Sequence, residues 1–264
     1  MATDDSGRRT IGAVDKSLRV LEALRSMDGA TLAELADEID LSKGALHTHL
    51  ATLSDHGFVE HRGDHYALGR RFLTFGEYVR NSVPLYRAAK GEVDELAAET
   101  GECVHLITEE DGLESILYES FGDRAVGREF FLKNREEMGR YLHYSAAGKS
   151  ILSQFSEAEI DDLVDRHGMP EGTQHTITDR EEFKAELERV REHGYATNDE
   201  EDLLGIRAVG SPIFSPEGEV LGALSVSAPA SRLQGDRFTE DLPRIVKEYV
   251  NIIEVNLQTG DVSV

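Results

Sequence analysis

Between Ile11 and Leu68 the apolar residues recur three times at helical spacing and then switch to alternation. Val14, Leu18, Leu21 and Leu24 form a first stripe, and Leu32, Leu35, Ala36 and Ile39 a second. The second is opened by Thr31 with Glu34 three residues on, the spacing of a capping box that satisfies two otherwise unpaired backbone N–H groups. Asp40 and Leu41 break the period. Ser42 is placed to cap a third helix whose inward stripe is Leu46, Leu50 and Leu53, and Gly57 stops it. Residues 58–62 and 65–68 then read as two short strands about Gly63-Asp64, a two-residue hairpin loop. Three helices, the last two joined by a tight break and followed by a hairpin, are the pattern of a winged helix-turn-helix. In that motif the last helix enters a DNA major groove and the hairpin tip lies near phosphate. The outward residues at its start are Lys43, Gly44, Ala45, His47 and Thr48, and Arg62 falls at the wing tip. With Thr31 and Ser42 at the two helix starts, these form the expected DNA-facing set. Arg8 and Arg9, in a polar arm before the first helix, are added as candidates for a minor groove or phosphate, a solvated terminus being the alternative.

After the wing, Leu68, Phe72, Phe75 and Val79 predict a further helix, with Arg70 and Arg71 on its outer side. Pro84 cannot continue it, which places a boundary at 81–84. The next helix spans 85–100, with Ala89, Val93, Leu96 and Ala97 inward, and ends at Gly101. Strands are expected at 103–107 and 115–119 around Asp111-Gly112, and at 206–214 and 219–227 around residues 216–218. Helices are expected at 157–166, after a box formed by Thr178 and Glu181 with Phe183, Leu187 and Val190 inward, and in a closing segment carrying Leu242, Ile245, Val246, Tyr249 and Ile253. Residues 120–138 carry no period that assigns an element. Strands flanked by helices at both ends, without internal repeat, predict an α+β sensor domain behind the DNA-binding one.

The runs AVDKSLRVLEAL, TLAELADEIDLSKGALHTHLATLSDHGFVEH and YALGRRFLTFGEYV resemble the N-terminal domain of IclR-type transcription regulators. YLHYSAAGKSIL, GYATNDEEDLLGIRAVGSPIF and GEVLGALSVSAPASRL are similar to successive motifs of that family's C-terminal effector-binding domain, which has a GAF-like fold. The resemblance implies a flexible arm at 1–10, a winged helix at 11–68, a linker helix at 69–82 and a GAF-like effector-binding and oligomerisation domain at 83–264. It implies a regulator, such as a repressor, rather than an enzyme, with a double-stranded DNA operator, a small-molecule effector and a homodimer or tetramer as partners, and no cofactor. The effector pocket it implies includes Ala146, Ala147, Asn198, Ile206, Ala208, Ser225 and Ser227. Ile206 and Ala208 share one strand face, and Ser225 and Ser227 another. The two hydroxyls are the groups expected to hold an oxyanion or hydroxyl of the ligand, edge-strand serines being the alternative. Relatives often carry Ser or Thr where Gly44 and Ala45 stand, an arginine near Thr48, an acid at Asn198 and cysteine at Ala208. Those departures imply a different operator and a different effector.

Charge alters the expectation for DNA binding. The chain of 264 residues has 28 Lys and Arg against 51 Asp and Glu, a net of −23. Residues 1–82 hold 10 basic and 13 acidic residues, net −3, and the remainder 18 and 38, net −20. Of the cations 21 are Arg and 7 Lys. An acidic, Lys-poor surface resembles proteins of salt-loving archaea, and in molar salt the Debye length of about 3 Å screens distant acidic surface from DNA. The same screening weakens the counterion-release gain from phosphate contacts. Binding then leans on fit, base contacts and dimer symmetry. No apolar run approaches the roughly 20 residues that span a bilayer. The start, MATDDSGRRTIG, has no signal-peptide core, which predicts a cytoplasmic protein without membrane contact. The single cysteine, Cys103, excludes an internal disulfide.

Ala147-Gly148-Lys149-Ser150 mimics the end of a P-loop, but His143 stands where that motif requires glycine. A helix starting at Ser145 would instead offer its N–H groups to a small carboxylate. Cys103 and His105 share a strand face that His143 could approach, which leaves open a redox or metal sensor or enzyme. It lacks a named third ligand and an orienting partner, and a packed Cys and a satisfied His are the simpler alternative. No catalytic or metal residue is assigned. The leading expectation is regulation by a small organic acid or sugar-derived metabolite.

Overall fold

The computed structural model describes residues 10–126 and 140–260, which excludes Arg8 and Arg9 and most of 120–138. The chain divides into two compact units, Met1–Ser82 and Val83–Val264. In the first, helices α1 (Gly12–Ser26), α2 (Leu32–Glu38) and α3 (Lys43–Asp55) pack around Val20, Leu24, Leu35, Ile39, Leu46 and Leu50. Each fully buried leucine contributes about 1.5–3 kcal/mol relative to exposure. Strands β2 (Val59–Arg62) and β3 (His65–Leu68) form the hairpin, and a two-residue strand β1 (Ala30–Thr31) pairs with β3 on its other side. This small sheet, order β1-β3-β2, closes the winged helix.

The stripe expected on α1 is rotated. Val20, Ala23 and Leu24 face the core, while Val14 and Leu18 are exposed. Half-buried Ser17 shares a 2.8 Å hydrogen bond with His49 of α3, in keeping with the face that α1 presents. Helix α4 (Arg71–Ser82) buries none of its residues fully. It is held at its start by Phe58, whose ring meets Phe72 at 5.1 Å and Phe75 at 5.4 Å, with the Arg71 guanidinium 5.5 Å from the Phe58 centroid.

The second unit is built on one antiparallel sheet, order β6-β5-β4-β9-β8-β7. Its strands are β4 (Cys103–Glu110), β5 (Leu113–Phe121), β6 (Arg140–Tyr141), β7 (Ala196–Asp199), β8 (Ile206–Phe214) and β9 (Val220–Pro229). The short β6 and β7 have no counterpart in the apolar pattern. One sheet face, with Val104, Leu106, Val209, Leu224 and Val226, packs on α5 (Pro84–Thr100) and the last helix, α9 (Leu242–Thr259). The other face receives α6 (Ala146–Leu152), α7 (Glu157–His167) and α8 (Arg180–His193), with Ile107, Ile151, Leu152, Phe183 and Leu187 between them. The cap of α8 is Asp179, which accepts from the Glu181 and Glu182 N–H groups, rather than the expected Thr178. Asp179 stands one residue nearer these N–H groups, and its charged oxygen is the stronger acceptor.

The approach of α6 to the sheet requires glycine. A Cβ at Gly210, in the middle of β8, would lie 2.8 Å from the Ala146 backbone, and one at Gly148 would lie 2.1 Å from the Leu142 carbonyl oxygen. Gly210 therefore marks the place where one backbone rests on another. Gly210→Ala is expected to cost about 1–3 kcal/mol through overpacking, measured as a lowered denaturation midpoint in molar KCl.

Candidate functional site

Helix α3 begins where the Ser42 hydroxyl accepts the Ala45 N–H at 3.3 Å. The turn of the helix that buries Leu46 and Leu50 leaves Ser42, Lys43, Gly44, His47 and Thr48 exposed and Ala45 half-buried. The Thr48 hydroxyl donates back to the Gly44 carbonyl at 3.1 Å. Thr31 is engaged within its capping box, donating N–H and hydroxyl to Glu34 at 2.7 and 2.8 Å, so its chemistry holds the start of α2. Arg62 is exposed at the end of β2 and pairs with Glu60 at 2.8 Å, which Arg70 approaches at 3.2 Å. Hydrogen bonds from Arg62 and then Arg70 hold the Glu60 carboxyl below its ordinary range.

In the second unit, strand register composes a polar site. Directly paired residues of antiparallel strands share a face. One row across the sheet therefore reads Phe121, Cys103, Ser227, Ala208, Asn198, and the next reads Glu119, His105, Ser225, Gly210, Ala196. The N-terminal end of α6 lies over these rows. A pocket with about 30 Å³ of free space results. It is lined by all seven pocket positions expected from the sequence: Ala146, Ala147, Asn198, Ile206, Ala208, Ser225 and Ser227. His105, Glu114, Arg140, Ser145 and Asp202 also line it, and of these His105, Glu114 and Arg140 were not expected there. A larger open groove of about 450 Å³ between α8 and β7 contains none of the seven.

The added residues make the pocket strongly charged. Arg140 of β6 forms ion pairs with Asp202, which follows β7, and with Glu114 of β5 at 3.8 Å. Although β6 and β7 are opposite edges of the sheet, this bridge joins them across the pocket. Burial disfavours the Arg140 charge, but Glu114 and Asp202 outweigh it and raise its pKa. Ser145 caps α6 by accepting the Gly148 N–H at 2.8 Å while donating to Glu114 at 2.5 Å. With seven residues, α6 is too short for its N-terminus to carry an anion site alone. Lys149 is turned away from any phosphate. It is 1 % exposed and its Nζ meets Glu201 at 2.5 Å and Glu186 at 3.6 Å. Burial pushes the Glu201 carboxyl up, and Lys149 opposes that shift.

His105 acquires the orienting partner that sequence reading lacked, since its Nδ1 is 2.9 Å from Glu119 Oε1. His143 does not join it. Its Nε2 donates to the Pro170 carbonyl at 3.0 Å and its ring packs against Tyr144 and Phe183. Among the described residues no group of three or more metal-ligating side chains gathers. Among those residues, too, no helix is long and apolar enough to cross a membrane.

A winged helix with an exposed reading face, joined in sequence to a unit holding a small polar pocket, defines a two-domain DNA-binding regulator. Residues 13–63 match the IclR helix-turn-helix domain, and residues 77–255 match the bacterial transcriptional regulator IclR C-terminal domain. The chain belongs to the IclR family of transcription regulators, and its relatives are regulators rather than enzymes. It is 41% identical to the probable HTH-type transcriptional regulator ArcR of Halobacterium salinarum, over 98% of both chains. It is 29% identical to the transcriptional repressor IclR of Escherichia coli, over 90% of this chain and 87% of that one. Among solved structures it is similar to the IclR protein of Thermotoga maritima, with a TM-score of 0.75 and 25% identity over 94% of this chain and 99% of that one. The halobacterial relative accords with the acidic, Lys-poor composition.

Burial opposes a charged His105, but Cys103 and Glu119 beside it prevail and raise its pKa from 6.5 to about 10. The stability this gives is complete below the ordinary value of 6.5 and is lost as pH rises through about 10. Denaturation midpoints followed from neutral to alkaline pH should fall in the native protein. In His105→Asn they should start lower and fall less.

Proposed function

We propose that this protein binds a roughly palindromic operator as a dimer, and that a small organic acid or sugar-derived metabolite in the second unit alters its affinity for that DNA. The observation that carries the effector reading is the convergence of the seven expected positions on one polar pocket. Ser225 and Ser227 supply hydroxyls to an oxyanion, and Ala146, Ala147, Ile206 and Ala208 supply the apolar walls. For DNA, Lys43, His47 and Thr48 provide polar readout, Gly44 allows close backbone approach, and Ala45 meets a thymine methyl. Ser42 fixes the start of α3, Thr31 that of α2, and Arg62 contacts phosphate at the wing. Arg8 and Arg9 remain assigned to the arm. The protein works in the cytoplasm, where its DNA is.

Dimer formation is supported by apolar residues left in solvent on the DNA-binding unit. Ile11, Val14 and Leu18 on and beside α1, and Leu73 and Val79 on α4, are each more than half exposed. Such surface marks an association site, and a two-fold dimer presents two reading helices to half-sites about one helical turn apart. Effector binding shifts the balance between domain arrangements with different helix spacing.

Footprinting on the protein's own upstream DNA in molar KCl, with and without a panel of small carboxylates, tests this. The expected result is a protected palindrome that one acid weakens or tightens. Lys43→Ala should weaken binding and lower the salt slope by about 1. Leu18→Glu should shift sedimentation toward monomer. No protection at any salt would overturn the operator reading.

A further inference from the structure

The pocket has two chemically opposite ends. At one end Ser225 and Ser227 make no side-chain hydrogen bond among the described residues. In the same row as Ser227, with Ala208 between them, Asn198 uses its Oδ1 to accept the Glu201 N–H at 2.8 Å, which turns its NH₂ donors the other way. This end offers donors to an anion. At the other end Glu114, with a side chain 3 % exposed, gives Oε2 to Ser145, while Oε1 makes no hydrogen bond among the described residues. Its nearest cation, Arg140 Nη1, stands 3.8 Å away. Asp202 engages only Arg140, through one oxygen, and leaves Oδ1 as an acceptor. A carboxylate oxygen on a nearly buried, pocket-lining side chain, ion-paired at 3.8 Å but hydrogen-bonded to no donor among the described residues, can take a closer donor from the ligand.

Charge narrows the donor to a cation. Glu114, Asp202 and Arg140 carry formal charges of −1, −1 and +1, so this end is left at −1. A second acid group there would add a third carboxylate to one guanidinium. A hydroxyl would satisfy the acceptors and leave the charge uncompensated in a partly dry site. An ammonium does both.

We propose that the effector is a small amino acid, its carboxylate held by Ser225, Ser227 and Asn198 and its ammonium between Glu114 and Asp202. The inference rests on the reading of this pocket as the effector site and names the ligand class within it. The free space of about 30 Å³ is roughly that of one water molecule, so binding of any amino acid requires the pocket to widen, and the smallest skeletons require it least. Because Arg140 and Asp202 come from opposite sheet edges, an ammonium between the carboxylates adds a cation to the bridge that joins those edges.

Calorimetric titration of the full-length protein in molar KCl tests this. The probes are the standard L-amino acids, each compared with the acid of the same skeleton that lacks the amino group and with its 2-hydroxy acid. The expected result is an amino acid that binds at least about tenfold tighter than both analogues. In Asp202→Asn the ratio of amino-acid affinity to that of the acid lacking the amino group should fall toward one. Glu114→Gln provides the same readout if Asp202→Asn fails to fold. Analogues that bind as tightly as the amino acids, or variants that keep the preference, would overturn the amino-acid assignment and leave the carboxylate pocket standing. Binding of none of the probes would overturn both.

Discussion

The pairing of β4 with β9 is the constraint from which the second unit follows. Once Cys103 stands opposite Ser227 and His105 opposite Ser225, alternation along both strands sends Val104, Leu106, Leu224 and Val226 to the opposite face. That face is continuous with α5 and α9 and forms the larger core. The remaining face carries serines, a histidine, alanine and glycine, too small and too polar to fill a core by themselves. A second layer of helices covers part of it, and the part left under the end of α6 is the pocket. Core and site are thus two consequences of one register, and a slip of one residue would exchange them.

A second constraint is the closeness of α6 to β8. Gly210 removes the side chain that would separate these backbones, Gly148 lets the preceding turn at Leu142 fold onto α6, and Ser145 both caps the helix and donates to Glu114. Lys149, forced inward by this packing, would be an expensive isolated charge; Glu201 and Glu186 compensate it. Glu201 in turn gives its N–H to Asn198, which lines the pocket. Helix position, buried ion pair and pocket wall are therefore connected by direct contacts.

In the DNA-binding unit the same forces act locally. Two side-chain caps, at Thr31 and Ser42, start α2 and α3, and the inward leucines orient α3 so that its polar start stays in solvent. Arg62 and Arg70 share Glu60, which reduces the net positive charge at the wing. With an acidic chain as background, this unit has little electrostatic pull to spend.

What the sequence determined by itself is what short-range physics decides. Most caps and helical stripes, the wing turn and the order of strands and helices are written within windows of a few residues, and so is the solvent-exposed start of α3. The seven pocket positions were legible through family motifs, the two-residue spacing only pairing them on strand faces. Tertiary structure decided the rest. The face of α1 was set by which of its apolar residues, Val20, Ala23 and Leu24, meet the core, and short β7 exists only because β8 offers it an edge. A bulge between Leu106 and Ile107 shifts the β4–β5 register by one, which places Glu119 rather than Tyr118 opposite His105. Arg140 and Asp202 lie 62 residues apart and on opposite edges of the sheet. No local pattern pairs them, because the curl that brings the edges together belongs to the whole sheet.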